Sequence, residues 1–314
     1  METVENKILG LHHITAIASQ AKRNLDFYTQ VLGLRLLKKT VNFDDPGTYH
    51  FYFGDERGSA GTILTFFPYE TARRGSAGTS MATNIAYSVP EGSFDFWINR
   101  FEKHNVLYNK PSEKFGEPYL TFLDPDGLKL ELVVSQLPDD RQGWETDEVK
   151  AEVATKGFHG VTLTLKDIQP TAAVLTNILG YQLLEQSGNR YRFITDAVET
   201  AAIVDLVQLP NEARGIGGAG TNHHVAFRVK NEDVLMHFRQ RVKASGLQIT
   251  EKIDRNYFYS LYFREPGGVL FEIATDNPGF GIDEPWDQLG TNLLLPPQYE
   301  PRRTQIEAVL PKLN

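Results

Sequence analysis

Apolar residues along this chain fall into short runs whose period changes. In LHHITAIA, from Leu11, every second residue from Ile14 is apolar, the spacing of a strand with one buried face. LDFYTQVLGL, from Leu25, spaces its apolar residues at three and four like an amphipathic helix, with a glycine, Gly33, near its end. Three short runs with a period of about two then follow, bounded by Gly, Pro, Asp and Asn. The pattern predicts one βαβββ module over residues 8–68.

The same order recurs over 82–136, 157–209 and 221–276. GFHGVTLTL repeats LHHITAIA: with Ile14 set against Val161, His13 falls opposite Gly160, and Gly33 opposite Gly180 with no gap. YLTFLDPDGLKLELVV aligns with SLYFREPGGVLFEIA, placing Pro125, Gly127 and Glu131 opposite Pro266, Gly268 and Glu272. TNIAYSV aligns with HHVAFRV, placing Asn84 opposite His224. Two domains of two modules each follow, 1–150 and 151–314, the second carrying a Pro-containing tail from about Asn277 that is expected to strap over the surface. The expected fold is α+β: four βαβββ modules forming two open, cup-shaped mixed sheets flanked by helices.

Strand alternation sorts the candidate ligands, because a residue facing the cup must lie out of phase with those packing on the helices. Val225, Phe227 and Val229 share one face, leaving His224 on the other; Phe271 and Ile273 leave Glu272; Ile14, Ala16 and Ala18 leave His13 and Thr15. His159 shares the apolar face with Val161 and Leu163, so it reads as structural. First-strand slots then hold His13, Asn84, Gly160 and His224, and last-strand slots hold Thr65, Glu131, Asp205 and Glu272. If modules 1 and 4 share a cup, it presents two imidazoles, one carboxylate and Thr65. The other cup has no imidazole in these slots, and Glu131 and Asp205 read as degenerate repeats or surface charges. Asp44 and Asp45, in FDDPG, read as a turn.

Composition narrows the chemistry. With no cysteine, a metal must be held by His, Asp or Glu, which suits Fe(II), Mn(II), Zn(II) or Ni(II). A net charge of −8 with both signs interspersed offers no basic stripe for nucleic acid. No apolar run approaches the roughly 18 residues of a membrane span, and METVENKILG lacks the features of a secretion signal, so a cytoplasmic location is expected.

LHHITAIA, LDFYTQVLGLRLLKKTVNFDDPGTYHFYFGD, GTILTFFP, NHHVAFRV and REPGGVLFE together resemble ring-cleaving dioxygenases of the glyoxalase, or vicinal-oxygen-chelate, superfamily, especially the hydroquinone 1,2-dioxygenase branch. The resemblance spans nearly the whole chain. It implies Fe(II) bound by His13, His224 and Glu272, with replacement by Mn(II) left open, and an aromatic diol and O2 as reactants. It also implies polar roles around the reactants for His12, Thr15, His223, Arg255 and Tyr262. Alternation opposes part of this, sending His12 and His223 to the helix side. Read alone, Arg255 is a turn-side surface charge and Tyr262 a packed aromatic. The competing functions are a glyoxalase-type isomerase using Zn(II) or Ni(II) and four protein ligands, which Thr65 disfavours, and a non-catalytic binder of small aromatics. Hydroquinone versus catechol and a homo-oligomeric state stay open.

Overall fold

The computed structural model describes residues 6–313, so residues 1–5, where the reading of the N-terminus begins, lie outside the described residues. Module 1 contains β1 (Leu11–Ala18), α1 (Ala21–Asp26) with a π-helical turn to Val31, β2 (Arg35–Val41), β3 (Tyr49–Gly54) and β4 (Ile63–Pro68). Module 2 contains β5 (Met81–Ser88), α2 (Phe94–Lys103), β6 (Ser112–Lys114), β7 (Glu117–Leu123) and β8 (Lys129–Val133). Module 3 contains β9 (Gly157–Leu165), α3 (Gln169–Asn177), β10 (Gln182–Ser187), β11 (Arg190–Ile194) and β12 (Ile203–Gln208). Module 4 contains β13 (Thr221–Val229), α4 (Glu232–Ala244), β14 (Ile253–Asp254), β15 (Phe258–Arg264) and β16 (Leu270–Pro278).

Local chemistry explains these elements. α4 starts where the Asn231 side chain accepts from the Val234 amide; Glu232 and Asp233 fill its first turn, Arg241 and Lys243 its last, and Val234, Leu235, Phe238 and Val242 its buried face. The glycines that anchor the repeat recur because each needs a left-handed backbone: φ is +69° at Gly33 and +78° at Gly180, +90° at Gly127 and +98° at Gly268. Among the described residues no helix is long and apolar enough to cross a membrane.

Two eight-stranded sheets result, in the orders β14-β15-β16-β13-β1-β4-β3-β2 and β10-β11-β12-β9-β5-β8-β7-β6. β1 lies antiparallel to β13, and β5 to β9. Module 1 therefore shares a sheet with module 4 and module 2 with module 3, so each sheet draws on both sides of residue 150. Helix faces and outer sheet faces merge into one apolar core. A smaller cluster, including Tyr52, Tyr257, Phe258, Phe280 and Leu289, packs within the first sheet's side and draws in the tail. The tail is fastened there by polar groups as well. Lys38, fully buried on β2, places its ammonium 2.6 Å from Asp283 and 3.0 Å from Glu284, and Tyr299 donates to the Phe43 carbonyl.

Strict alternation fails at four matching places. The β1–β13 register skips between Leu11 and His13, and between Thr15 and Ala16, whose partners are His224 and Asn222. His12 and His223 are thus extra residues in β-bulges, which turn their side chains away from the helix face that alternation assigns them. Thr83 and His159 occupy the same position in the β5–β9 pair.

The second cup is filled. A Cβ on Gly160 would stand 2.7 Å from the Ile203 carbonyl oxygen, so that slot admits no ligand side chain. Glu131 and Asp205 are buried, not surface charges. Arg192 Nε donates to Asp205 at 2.9 Å and its Nη1 to Glu117; His159 Nε2 lies 3.0 Å from Glu117, and Asn84 and Lys114 both donate to Glu131. Burial by itself raises the Glu117 pKa, but His159 and then Arg192 outweigh it and draw the carboxyl down to about 2. Its contribution to stability is therefore complete above the ordinary carboxylate range and is lost as the pH falls toward 2. Arg192→Leu, which leaves Glu117 with His159 alone and Asp205 with Arg190 alone, is expected to cost about 3–5 kcal/mol, read as a lower urea midpoint. An unchanged midpoint would show that the network contributes nothing.

Candidate metal centre

In the first cup, sheet register brings three polar side chains to one point. β13 pairs with β1 on one side, Thr15 opposite His224, and with β16 on the other, Ala226 opposite Glu272. His13, His224 and Glu272, all buried, put ligand atoms within 4.8 Å of one another, and among the described residues no other group of His, Asp or Glu does so. His224 Nε2 lies 3.3 Å from His13 Nε2; Glu272 Oε2 lies 3.2 Å from His13 Nε2 and 2.9 Å from His224 Nε2.

These spacings fit a shared ion. Imidazole and carboxylate donors bind first-row divalent metals at about 2.0–2.2 Å, which sets neighbouring ligands of an octahedron about 3 Å apart. Glu272 Oε2 is fully buried, yet neither close imidazole is aligned to hydrogen-bond it, leaving it without a partner. Its other oxygen accepts from the Ser260 hydroxyl.

Bulged His12 fixes the tautomer of His13. His12 Nε2 lies 3.1 Å from the Thr275 carbonyl, which can only accept, so Nε2 carries the proton. Burial, and then His13, lowers the His12 pKa well below its ordinary value, so the ring is neutral and its Nδ1 is bare. That Nδ1 accepts from His13 Nδ1 at 2.9 Å, which frees the His13 Nε2 lone pair toward the centre. His223 Nδ1 and His224 Nδ1, 2.8 Å apart, repeat the arrangement across the bulged pair. The second His of each pair thus converges on Glu272, and the first sits beside it.

A cavity of about 430 Å³ opens over the centre. Of the residues singled out in the sequence, His13, Thr15, His223, His224, Arg255 and Tyr262 line it, whereas His12 stands behind His13 and does not. Arg255 Nε donates to the Tyr262 hydroxyl at 3.2 Å. Burial, then the Glu272 charge, raises the Tyr262 pKa, so its hydroxyl stays protonated and able to donate. Phe43, Phe67, Phe258 and Leu270 supply apolar wall. Asp44 lines the mouth, while Asp45 accepts from Thr48 in the turn read from the sequence. His159, bonded to Glu117 in the other sheet, takes no part.

Sequence reasoning missed His50. It is buried on β3 and lines the cavity, and its Nε2 lies 3.0 Å from Thr65 Oγ1. Every residue of YHFYFG is buried, so the strand offers no polar-face signal to single it out.

The family described as Glyoxalase/Bleomycin resistance protein/Dioxygenase superfamily matches this chain twice, over residues 10–132 and 157–273. A Bacillus subtilis protein named "Putative ring-cleaving dioxygenase MhqO" is 47% identical over 301 residues, 96% of this chain and 95% of its own. Chlorohydroquinone/hydroquinone 1,2-dioxygenase of Sphingobium indicum is 33% identical over 306 residues, 96% of this chain and 95% of its own. A crystal structure described as a "putative dioxygenase" from Bacillus subtilis superposes with a TM-score of 0.94 at 46% identity, covering 98% of each chain. With the repeated module, the paired sheets and the buried His–His–Glu set, these matches place the chain in the Glyoxalase/Bleomycin resistance protein/Dioxygenase superfamily, as an enzyme of its ring-cleaving dioxygenase branch.

Proposed function

We propose that this dioxygenase opens the ring of a hydroquinone-type aromatic diol, using Fe(II) held by His13, His224 and Glu272. The observation that carries this reading is the convergence of two imidazoles and one carboxylate beneath a cavity with aromatic walls. The diol class rests on the resemblance to a hydroquinone 1,2-dioxygenase. A cavity of about 430 Å³ accommodates one substituted ring with O2 beside it.

Iron bound there supplies the electron route between the diol and O2, and a positive charge for an ionised ring hydroxyl. The chain's own groups do the rest. Phe43, Phe67, Phe258 and Leu270 hold the ring and exclude water. The neutral Tyr262 hydroxyl, held by Arg255, donates toward oxygen on the β15 side, and the Arg255 cation favours anionic reactants and products. His223, at the cavity wall, is placed to move a proton. Across the reaction one ring C–C bond breaks and both atoms of O2 enter the product.

Anaerobic reconstitution with Fe(II), followed by oxygen-electrode assays, tests the proposal. Wild type is expected to consume one O2 per ring opened with methylhydroquinone, and His13→Ala to retain no iron and consume none. Iron bound tightly by wild type without uptake on methylhydroquinone or catechol would sink it. A second measurement addresses the tautomer. His12→Phe keeps an aromatic ring but removes the acceptor for His13 Nδ1, and is expected to weaken iron affinity about 10–100-fold in chelator competition. Wild-type affinity in that variant would show that His12 does not orient the ligand.

A further inference from the structure

Thr65 stands where the repeat places Glu272 in module 4, and its hydroxyl is shared. Thr15 Oγ1 lies 2.8 Å away on one side and His50 Nε2 lies 3.0 Å away on the other. All three residues are buried; Thr15 and His50 line the cavity, whereas Thr65 does not. The His50 ring is packed against Tyr52 and Phe67, with centroids 4.1 and 4.4 Å away. Its Nδ1 is buried and meets no partner.

The unpartnered nitrogen sets the direction of the chain of hydrogen bonds. With the proton on Nδ1, His50 would bury an unanswered N–H, a group rarer in folded proteins than an under-used acceptor. With the proton on Nε2, it donates to Thr65 and leaves only a lone pair unmet. Thr65, accepting from His50, then turns its own proton to Thr15 Oγ1. Thr15, accepting from Thr65, has its proton left for the cavity. Thr15 shares a strand face with His13, two residues away, and pairs in register with His224.

We infer that His50, acting through Thr65, holds Thr15 as a hydrogen-bond donor aimed into the cavity beside the His13–His224–Glu272 centre, where it binds the ionised oxygen of the diol. Thr15 is the group that touches substrate; Thr65 and His50 are positioning residues. The inference rests on the diol reading above, and adds to it a way of favouring an anionic oxygen without placing a second carboxylate among the ligands.

Anaerobic calorimetric titration of the iron-loaded protein with methylhydroquinone tests it, alongside iron content and thermal melting. His50→Leu and Thr65→Val are each expected to weaken binding about tenfold or more, the scale of a lost hydrogen bond to a charged group, with iron content unchanged. His50→Gln, whose amide donates in place of Nε2–H, is expected to come within about threefold of wild type. Thr65→Val conserves shape, so it reports even where His50→Leu folds poorly. Wild-type binding in Thr65→Val, or a well-folded His50→Gln no better than His50→Leu, overturns the relay while leaving the diol reading intact. Absence of binding by wild type overturns the diol reading and the relay with it.

Discussion

β1 and β13 run antiparallel through the middle of the first sheet, each with one residue bulged out of register. That pairing brings modules at opposite ends of the chain together and sets His13 against His224. The bulges then let two consecutive histidines on each strand meet through their Nδ1 atoms, where a regular strand would send them to opposite faces. Each inner ring is therefore oriented by its own chain neighbour. Ligand direction and tautomer become properties of the strand backbone, and no loop has to close to create them.

The second sheet shows the same scaffold put to another use. It keeps the central antiparallel pair, both bulges and the buried carboxylates, but holds Asn84 and Gly160 where the first sheet has histidines. Gly160 lets β12 approach too closely for a side chain, and Arg192 joins Asp205 to Glu117. Buried charges there are neutralised by cations from the protein itself. In the first cup Glu272 lies between two imidazoles with one oxygen unpartnered, and among the described residues no Lys or Arg pairs with it.

Much of this was legible in the sequence because strand period and repeat spacing are local properties. Out-of-phase His13, His224 and Glu272 could be picked against Ile14, Val225 and Phe271, and the left-handed glycines marked corresponding turns. Bulges are not visible in an alternation pattern, which is why His12 and His223 were sent to the wrong face. His50 was hidden for a different reason: a strand buried on both sides carries no contrast between faces. Lys38 depends on Asp283 and Glu284, about 245 residues away, and nothing near it in sequence announces that the tail will cover it. For Glu131 and Asp205, read as degenerate repeats or surface charges, the surface alternative fails because both are buried with cations from other strands.

Position 65 decides the charge of the proposed centre. Two neutral imidazoles and one carboxylate leave a divalent ion with a net positive charge, and Arg255 adds another at the cavity wall. A carboxylate at position 65 would cancel much of that charge and oppose entry of an ionised hydroxyl. Thr65 has no charge to contribute, and its hydroxyl is already engaged by Thr15 and His50. The slot therefore turns from ligation to orientation: what Glu272 supplies as charge on one side of the cup, Thr65 supplies as a directed hydrogen bond on the other. In the proposed complex, a ring bearing one ionised oxygen would meet positive charge beneath it and donors on both flanks, Thr15 on β1 and Tyr262 on β15, with the phenyl walls against the ring itself.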